Sequence, residues 1–376
     1  MRPFTSIAAA LTVSLCLVAT LPAQTVSTVP VGFNTSTIAP ASNATTPTGN
    51  VVAAQFYQIA VFQGALSSVD SSNQISFTGA NFGNLTTVPH LARFKTGNST
   101  GRFHLITANT TTQLTLDTSD ADSTPDIKGY ALTTGAPTLS QTQVAVGDSV
   151  EVVPANTLAS LFGATGGGIF QTGTSAGQAD NVLLFNQKNQ TWDTFYPSSS
   201  TGHWRQSGNL NPNLDNTVVL PDRGIFILRR STSTSNNNVT FLGTVPSTTE
   251  KTDIAGPGST FISTRFPVDM TLGGTGPTAL NLQAQTAGAG VSVGVLNWQP
   301  GSSAGQADNV LLWNPTSKTW DTFYFSSSTN HWRQSGNLDP DVDDKVVPIG
   351  SAMFILRRSS SSGVSPTFTK TLTYTL

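Results

Sequence analysis

Charge is scarce in this 376-residue chain: 18 Lys and Arg with 20 Asp and Glu amount to 10% of the residues, for a net charge of −2. An ordinary soluble domain carries about 25% charged residues. With no basic excess there is no electrostatic footprint for nucleic acid or for an anionic membrane surface, so nucleic acid is excluded as a partner. Glutamate is scarcer still, since Glu151 and Glu250 are the only two. Few glutamates and lysines beside abundant threonine and glycine argue against helices, because the straight-chain residues that favour them are missing. The expected fold is all-β. Cysteine is nearly absent: Cys16 stands alone, inside an N-terminal apolar run. Once that run is removed, no disulfide, thiolate metal site or cysteine nucleophile is available. The four histidines, His90, His104, His203 and His331, show no zinc-ligand spacing. Beyond the N-terminal run no apolar stretch approaches twenty residues, so no transmembrane helix is expected after cleavage.

What is present begins with an address. Met1 and Arg2 give a positive start, residues 7–20 are apolar but too short to span a bilayer, and Leu21-Pro22-Ala23 offers small residues for cleavage. Residues 1–23 therefore read as a signal peptide cut near Ala23, and the mature chain is expected to be secreted or held in the outer cell envelope. Residues 24–50 form a Thr/Ser/Pro-rich leader, extended or an edge strand. A first β region follows over 51–230. Within it a small unit at about 73–153 alternates short strands with Gly, Asn and Asp turns, the pattern of a small sandwich or barrel. Asn156-Thr157 can cap a helix of about two turns ended by Gly163.

The most informative feature is a duplication. Residues 175–230 align without a gap to 303–358, and about two-thirds of the positions are identical. A unit this long excludes propeller blades and solenoid coils, whose repeats run about 20–50 residues. Each copy parses as an antiparallel five-strand module; in the first the strands are expected at 181–185, 191–196, 203–206, 217–220 and 225–229. Residues 231–239 read as a polar linker and 240–376 as a second β domain. Upstream of the second copy, 260–272 faintly echoes 51–62. The tail alternates Phe368, Leu372, Tyr374 and Leu376 with threonines, as a closing strand does. The fold class is thus all-β: short-stranded antiparallel sandwich- or barrel-like units, a duplicated five-strand module and very little helix.

Both copies keep one aromatic and polar cluster: Trp192, Tyr196, His203, Trp204 and Arg205, repeated as Trp320, Tyr324, His331, Trp332 and Arg333. On adjacent hairpin strands these rings can line one face, and flat aromatics beside polar groups suit the apolar C–H face and the hydroxyls of a sugar. They are candidate ligand-binding residues of a bivalent carbohydrate-binding protein. Cross-strand packing accounts for the same residues without a ligand. A polysaccharide hydrolase ranks third, because nothing makes Asp180 and Asp193, or Asp308 and Asp321, converge as a carboxylate pair; no catalytic residue is assigned. The alternating carboxylates Asp339, Asp341, Asp343 and Asp344 are a candidate calcium site, and calcium is the one cofactor the sequence suggests. The first copy has Asn211, Asn213, Asp215 and Asn216 there. Arg229-Arg230 and Arg357-Arg358 read as charged strand ends that blunt edge pairing.

The duplicated segments 179–186, 192–196, 204–208 and 226–230, with their copies at 307–314, 320–324, 332–336 and 354–358, resemble a family of uncharacterised exported proteins found mainly in verrucomicrobial bacteria. Residues 24–26, 30–33, 101–116, 157–162 and 265–269 extend the likeness over nearly the whole mature chain. The resemblance implies export and this architecture, and transfers no catalytic residue. The chain is expected to act as a structural or surface/matrix β protein, whose partners are extracellular glycan or other envelope proteins.

Overall fold

The structure is a computed structural model. It describes residues 30–41, 46–70, 73–117, 132–133, 142–230, 237–254, 257–284, 296, 298–337, 341–358 and 367–371. The expected signal peptide, most of the expected linker (231–236) and Asp339 lie outside the described residues. The fold is all-β: among the described residues there are several antiparallel sheets and one short α-helix.

Each copy of the duplication builds four strands of a five-stranded sheet. In the first repeat the order is Trp204–Gln206, Thr191–Pro197, Asn181–Asn186, Gly224–Arg229, Thr48–Ala53; in the second it is Trp332–Gln334, Thr319–Phe325, Asn309–Asn314, Ala352–Arg357, Gly258–Ser263. Three strands run as a meander and the fourth returns beside the first, a Greek-key order. Two expectations change here. Residues 217–220 do not enter the sheet: Val218 makes only an isolated bridge to Thr157, and the Val219 amide donates to the Asn156 carbonyl. The matching Val346–Val347 pairs with Met270–Thr271 instead. The fifth strand comes from upstream, and Thr48–Ala53 and Gly258–Ser263 take the same register against their neighbours, Ala53 opposite Gly224 and Ser263 opposite Ala352. The echo between 51–62 and 260–272 falls at these equivalent places.

Each repeat also closes on a strand pair. Val31–Ile38, within the leader, pairs with Asn237–Thr244, whose first residues fall in the stretch read as linker. Glu250–Asp253 pairs in the same way with Thr367–Lys370. The repeated unit is therefore longer than the ungapped alignment, with two strands before it and one after.

The small unit is inserted between the fifth strand and the rest of the first repeat. Its seven strands run in the order Phe62–Ala65, Ser149–Pro154, His90–Phe94, Phe103–Asn109, Gln113–Leu116, Gln74–Ser76, Ser68–Val69. A register shift between Ile106 and Ala108 marks a bulge, which bends and twists such a sheet. Its core holds Phe62, Phe77 and Phe82 edge to edge, with centroids 4.8 to 5.7 Å apart. The helix forms where expected, Leu158–Phe162, but is shorter than two turns. Thr157 Oγ1 accepts from the Ser160 amide at 3.1 Å and Ser160 Oγ from the Thr157 amide at 2.7 Å, a reciprocal cap, and Gly163 ends the helix at φ 78°.

Candidate functional site

Strand alternation divides the duplicated cluster between two faces. Trp204 stands opposite Pro197, and Arg205 opposite Tyr196. Since successive side chains point to opposite faces, Trp204 shares a face with Phe195, and Arg205 with Tyr196 and Trp192. The second copy repeats this, with Trp332 opposite Phe325 and Arg333 opposite Tyr324. Trp204 and Trp332 are each 0% exposed. Trp204 packs on Phe162 and Phe170 and donates Nε1–H to the Gly163 carbonyl at 2.7 Å. Trp332 packs on Trp298 and Phe325 and donates to Gln283 Oε1 at 3.0 Å. Tyr196 and Tyr324 are buried, and Arg205 and Arg333 half-buried. The expected set of coplanar, solvent-facing rings does not form, because the four tryptophans alternate between each repeat's own core and the space between the repeats.

Trp192 and Trp320 occupy that space, where the two five-stranded sheets pack together. Phe185 meets Phe354 at 5.0 Å, and the equivalent pair Trp313 and Phe226 meets at 5.2 Å. Trp192 meets Phe354 at 5.7 Å, and Trp320 meets Phe226 at 6.3 Å. The Ser263 amide donates to the Asp222 carbonyl at 3.0 Å and the Ala53 amide to the Gly350 carbonyl at 2.8 Å. Contacts that come in such reciprocal pairs are the mark of an isologous interface, here made within one chain. Gly224 lies within it, where an added Cβ would stand 2.6 Å from both Ala352 Cβ and a Phe261 ring carbon.

The remaining candidates sit at the strand-end loops. His203 Nδ1 is 2.7 Å from Asp215 Oδ2, and Asp215 Oδ1 accepts from the Trp204 amide at 2.9 Å. His331, Asp343 and Trp332 repeat the arrangement at 2.9 and 2.7 Å. In the second copy Asp341 Oδ2 also lies 3.3 Å from His331 Nδ1. The hydrogen bond to Asp343 raises the His331 pKa above its ordinary 6.5; desolvation opposes it, and the charges of Asp341 and Asp343 add smaller upward contributions. Of the expected calcium ligands, the structure thus brings Asp341 and Asp343 together, around a histidine, and leaves Asp344 outside the group. An imidazole nitrogen in the set departs from the oxygen ligands calcium takes, and both Asp343 oxygens already hold the loop to the strand. Arg229 and Arg357 correct a further expectation. Their strands are internal, not edges, and each guanidinium is buried in an ion pair of 2.9 Å, with Asp180 or Asp308.

One group of side chains has no signature in the sequence beyond its rarity. Both glutamates of the chain belong to it. Glu250, at the start of the second repeat, ion-pairs with Arg93 of the inserted sheet and with Arg265. The Tyr57 hydroxyl donates to it at 3.0 Å. Arg93 lies over the Tyr57 ring at 4.2 Å and reaches Glu151 at 3.3 Å, and Lys95 lies 3.5 Å from Glu151. Burial dominates the titration: it pushes the Glu250 carboxyl up to about 7 against the pull of Arg93, and the Arg265 guanidinium down to about 9. Tyr57, Arg93, Glu250 and Arg265 are at most 3% exposed, so they offer a substrate no access and join three parts of the molecule instead. Compared with family models, with curated proteins and with solved structures, the chain matches none.

Proposed function

We propose that the protein is an exported structural component of the cell surface or extracellular matrix, with no enzymatic role. The observation that carries this reading is the use of the duplicated cluster. Trp204 and Trp332 fill the repeat cores and Trp192 and Trp320 join the repeats, so the most distinctive residues of the duplication serve cohesion. An enzyme gathers its chemical groups in one accessible constellation. Here the buried Asp180–Arg229 and Asp308–Arg357 pairs are the same in both copies and closed to solvent. The short apolar N-terminal run and the absence of cysteine from the rest of the chain support export, as does the likeness to exported verrucomicrobial proteins. Among the described residues no helix is long and apolar enough to cross a membrane. The test is to fractionate cells making the full chain and sequence its N-terminus. A chain beginning near Gln24 in the envelope or medium is expected; an unprocessed chain retained in the cytoplasm overturns the reading.

A further inference from the structure

The two repeats differ most usefully where the first is filled and the second is not. In the first repeat the Gln187 side-chain oxygen, turned toward Arg223, accepts from its guanidinium, and Arg223 is 9% exposed. Gln190 adds two bonds to the backbone of Ser259, at 2.7 and 3.0 Å. The second repeat places Pro315, Lys318 and Ser351 at these three positions, and Gly350 where the first has Asp222. Gln187, Asp222 and Arg223 have thus given way to the shorter Pro315, Gly350 and Ser351, while Gln190 is replaced by the longer Lys318, which does not line the groove. At that place the second repeat carries a groove of about 520 Å³, between the Val31–Ile38 strand and its own sheet. This lies within the roughly 300–1,000 Å³ of small-molecule sites.

The lining defines the ligand. Asn34, Trp313, Asn314, Asp321, Lys345 and Ser351 border the groove. One acidic and one basic side chain leave it without net charge, and the remaining polar groups are amides and hydroxyls. Asn34, Asn314 and Ser351 border it with uncharged amides and a hydroxyl, while the Asn34 Nδ2 and Trp313 Nε1 donors lie buried in its wall with no partner among the described residues. Gly350 packs directly against the Asn34 side chain, with which an added Cβ would clash, and its φ of 72° suits glycine. Apolar surface from Trp313, Pro348 and Ile349 stands beside these donors. A ring with an apolar C–H face and uncharged hydroxyls satisfies both requirements.

We propose that this groove, present in the second repeat, binds a neutral oligosaccharide. The site is monovalent, touches the duplicated tryptophan cluster only where Trp313 packs on Trp320 at 5.3 Å, and does not depend on the proposed surface role. The test begins with the full chain on an array of neutral and acidic oligosaccharides. Calorimetry with the best-bound sugar then compares wild type with a Pro315→Gln, Ser351→Arg double variant, which rebuilds the filling of the first repeat. Wild type is expected to bind a neutral sugar and the double variant to bind it at least tenfold more weakly with an unchanged melting temperature. Asn34→Ala, which removes no hydrogen bond within the chain from its amide nitrogen, provides a second variant should the double one fold poorly, and is expected to weaken binding at least threefold. No binding by wild type, a preference for acidic sugars, or binding untouched by the variants overturns the proposal.

Discussion

Position 341 is Asp where the first copy has Asn213, and this one difference gives His331 a second carboxylate that His203 lacks. The hydrogen bond to Asp343 is the larger cause of the raised His331 pKa and the charge of Asp341 a smaller one. An NMR titration of His331 should therefore find its midpoint above 6.5, lowered more by Asp343→Asn than by Asp341→Asn. The sign for stability follows from linkage: a histidine whose folded pKa is raised contributes stability below about 6.5 that is lost as pH rises through the folded value. A midpoint at or below 6.5 in wild type would refute the assignment. Residues of this kind were only half legible. The spacing of the acidic loop pointed to metal ligands, yet Asp215 and Asp343 sit at equivalent places because both hold a loop to a tryptophan amide. That use depends on a turn that brings residues eleven apart together, which residue type alone does not report.

Elements were more legible than their partners. Four of the five expected strands in the first copy lie in its sheet, because strand periodicity and turn residues are local signals. The fifth was misplaced because Thr48–Ala53 pairs with Gly224–Arg229 across the whole inserted unit, a choice made by nonlocal packing. The faces failed for a related reason: reading Trp192 and Trp204 as one surface ignored that the hairpin register, Pro197 opposite Trp204, puts them on opposite sides. What the sheets share instead is the aromatic interface. Phe354, in contact with Phe185, Trp192, Phe261 and Trp320, is expected to lose about 3–5 kcal/mol on Phe354→Ala. A double-mutant cycle with Phe185→Ala, followed by urea unfolding, should give a coupling of roughly 0.5–3 kcal/mol, and the reciprocal Phe226 and Trp313 cycle a coupling of the same sign. Additive losses in both cycles would show that the sheets do not depend on this contact.

At the scale of the molecule, the inserted sheet is tied to the second repeat by buried charge. Arg93 and Glu250 form one link; Arg102 and Asp253, at 2.6 Å, form another. Between them the Lys251 amide donates to the Gly101 carbonyl at 3.2 Å. Such pairs gain little net stability over apolar packing, but removing one partner strands the other, at about 3–5 kcal/mol. Glu250→Ala should therefore destabilise the whole chain by that order, since Arg265 would lose its carboxylate and Arg93 would keep only Glu151. The pH dependence separates charge from shape. Burial holds the folded Glu250 carboxyl at about 7, above its ordinary 4.5. Between those values the folded chain keeps a proton that the unfolded chain has released, so this group's contribution falls as pH rises through the window. Glu250→Gln keeps the shape and cannot titrate. Urea unfolding of both chains from pH 4.5 to 7 should show wild type losing on the order of 3 kcal/mol relative to Glu250→Gln. A difference that stays flat, or that grows in favour of wild type with rising pH, would mean that the two guanidinium groups, and not burial, govern the carboxyl at the junction.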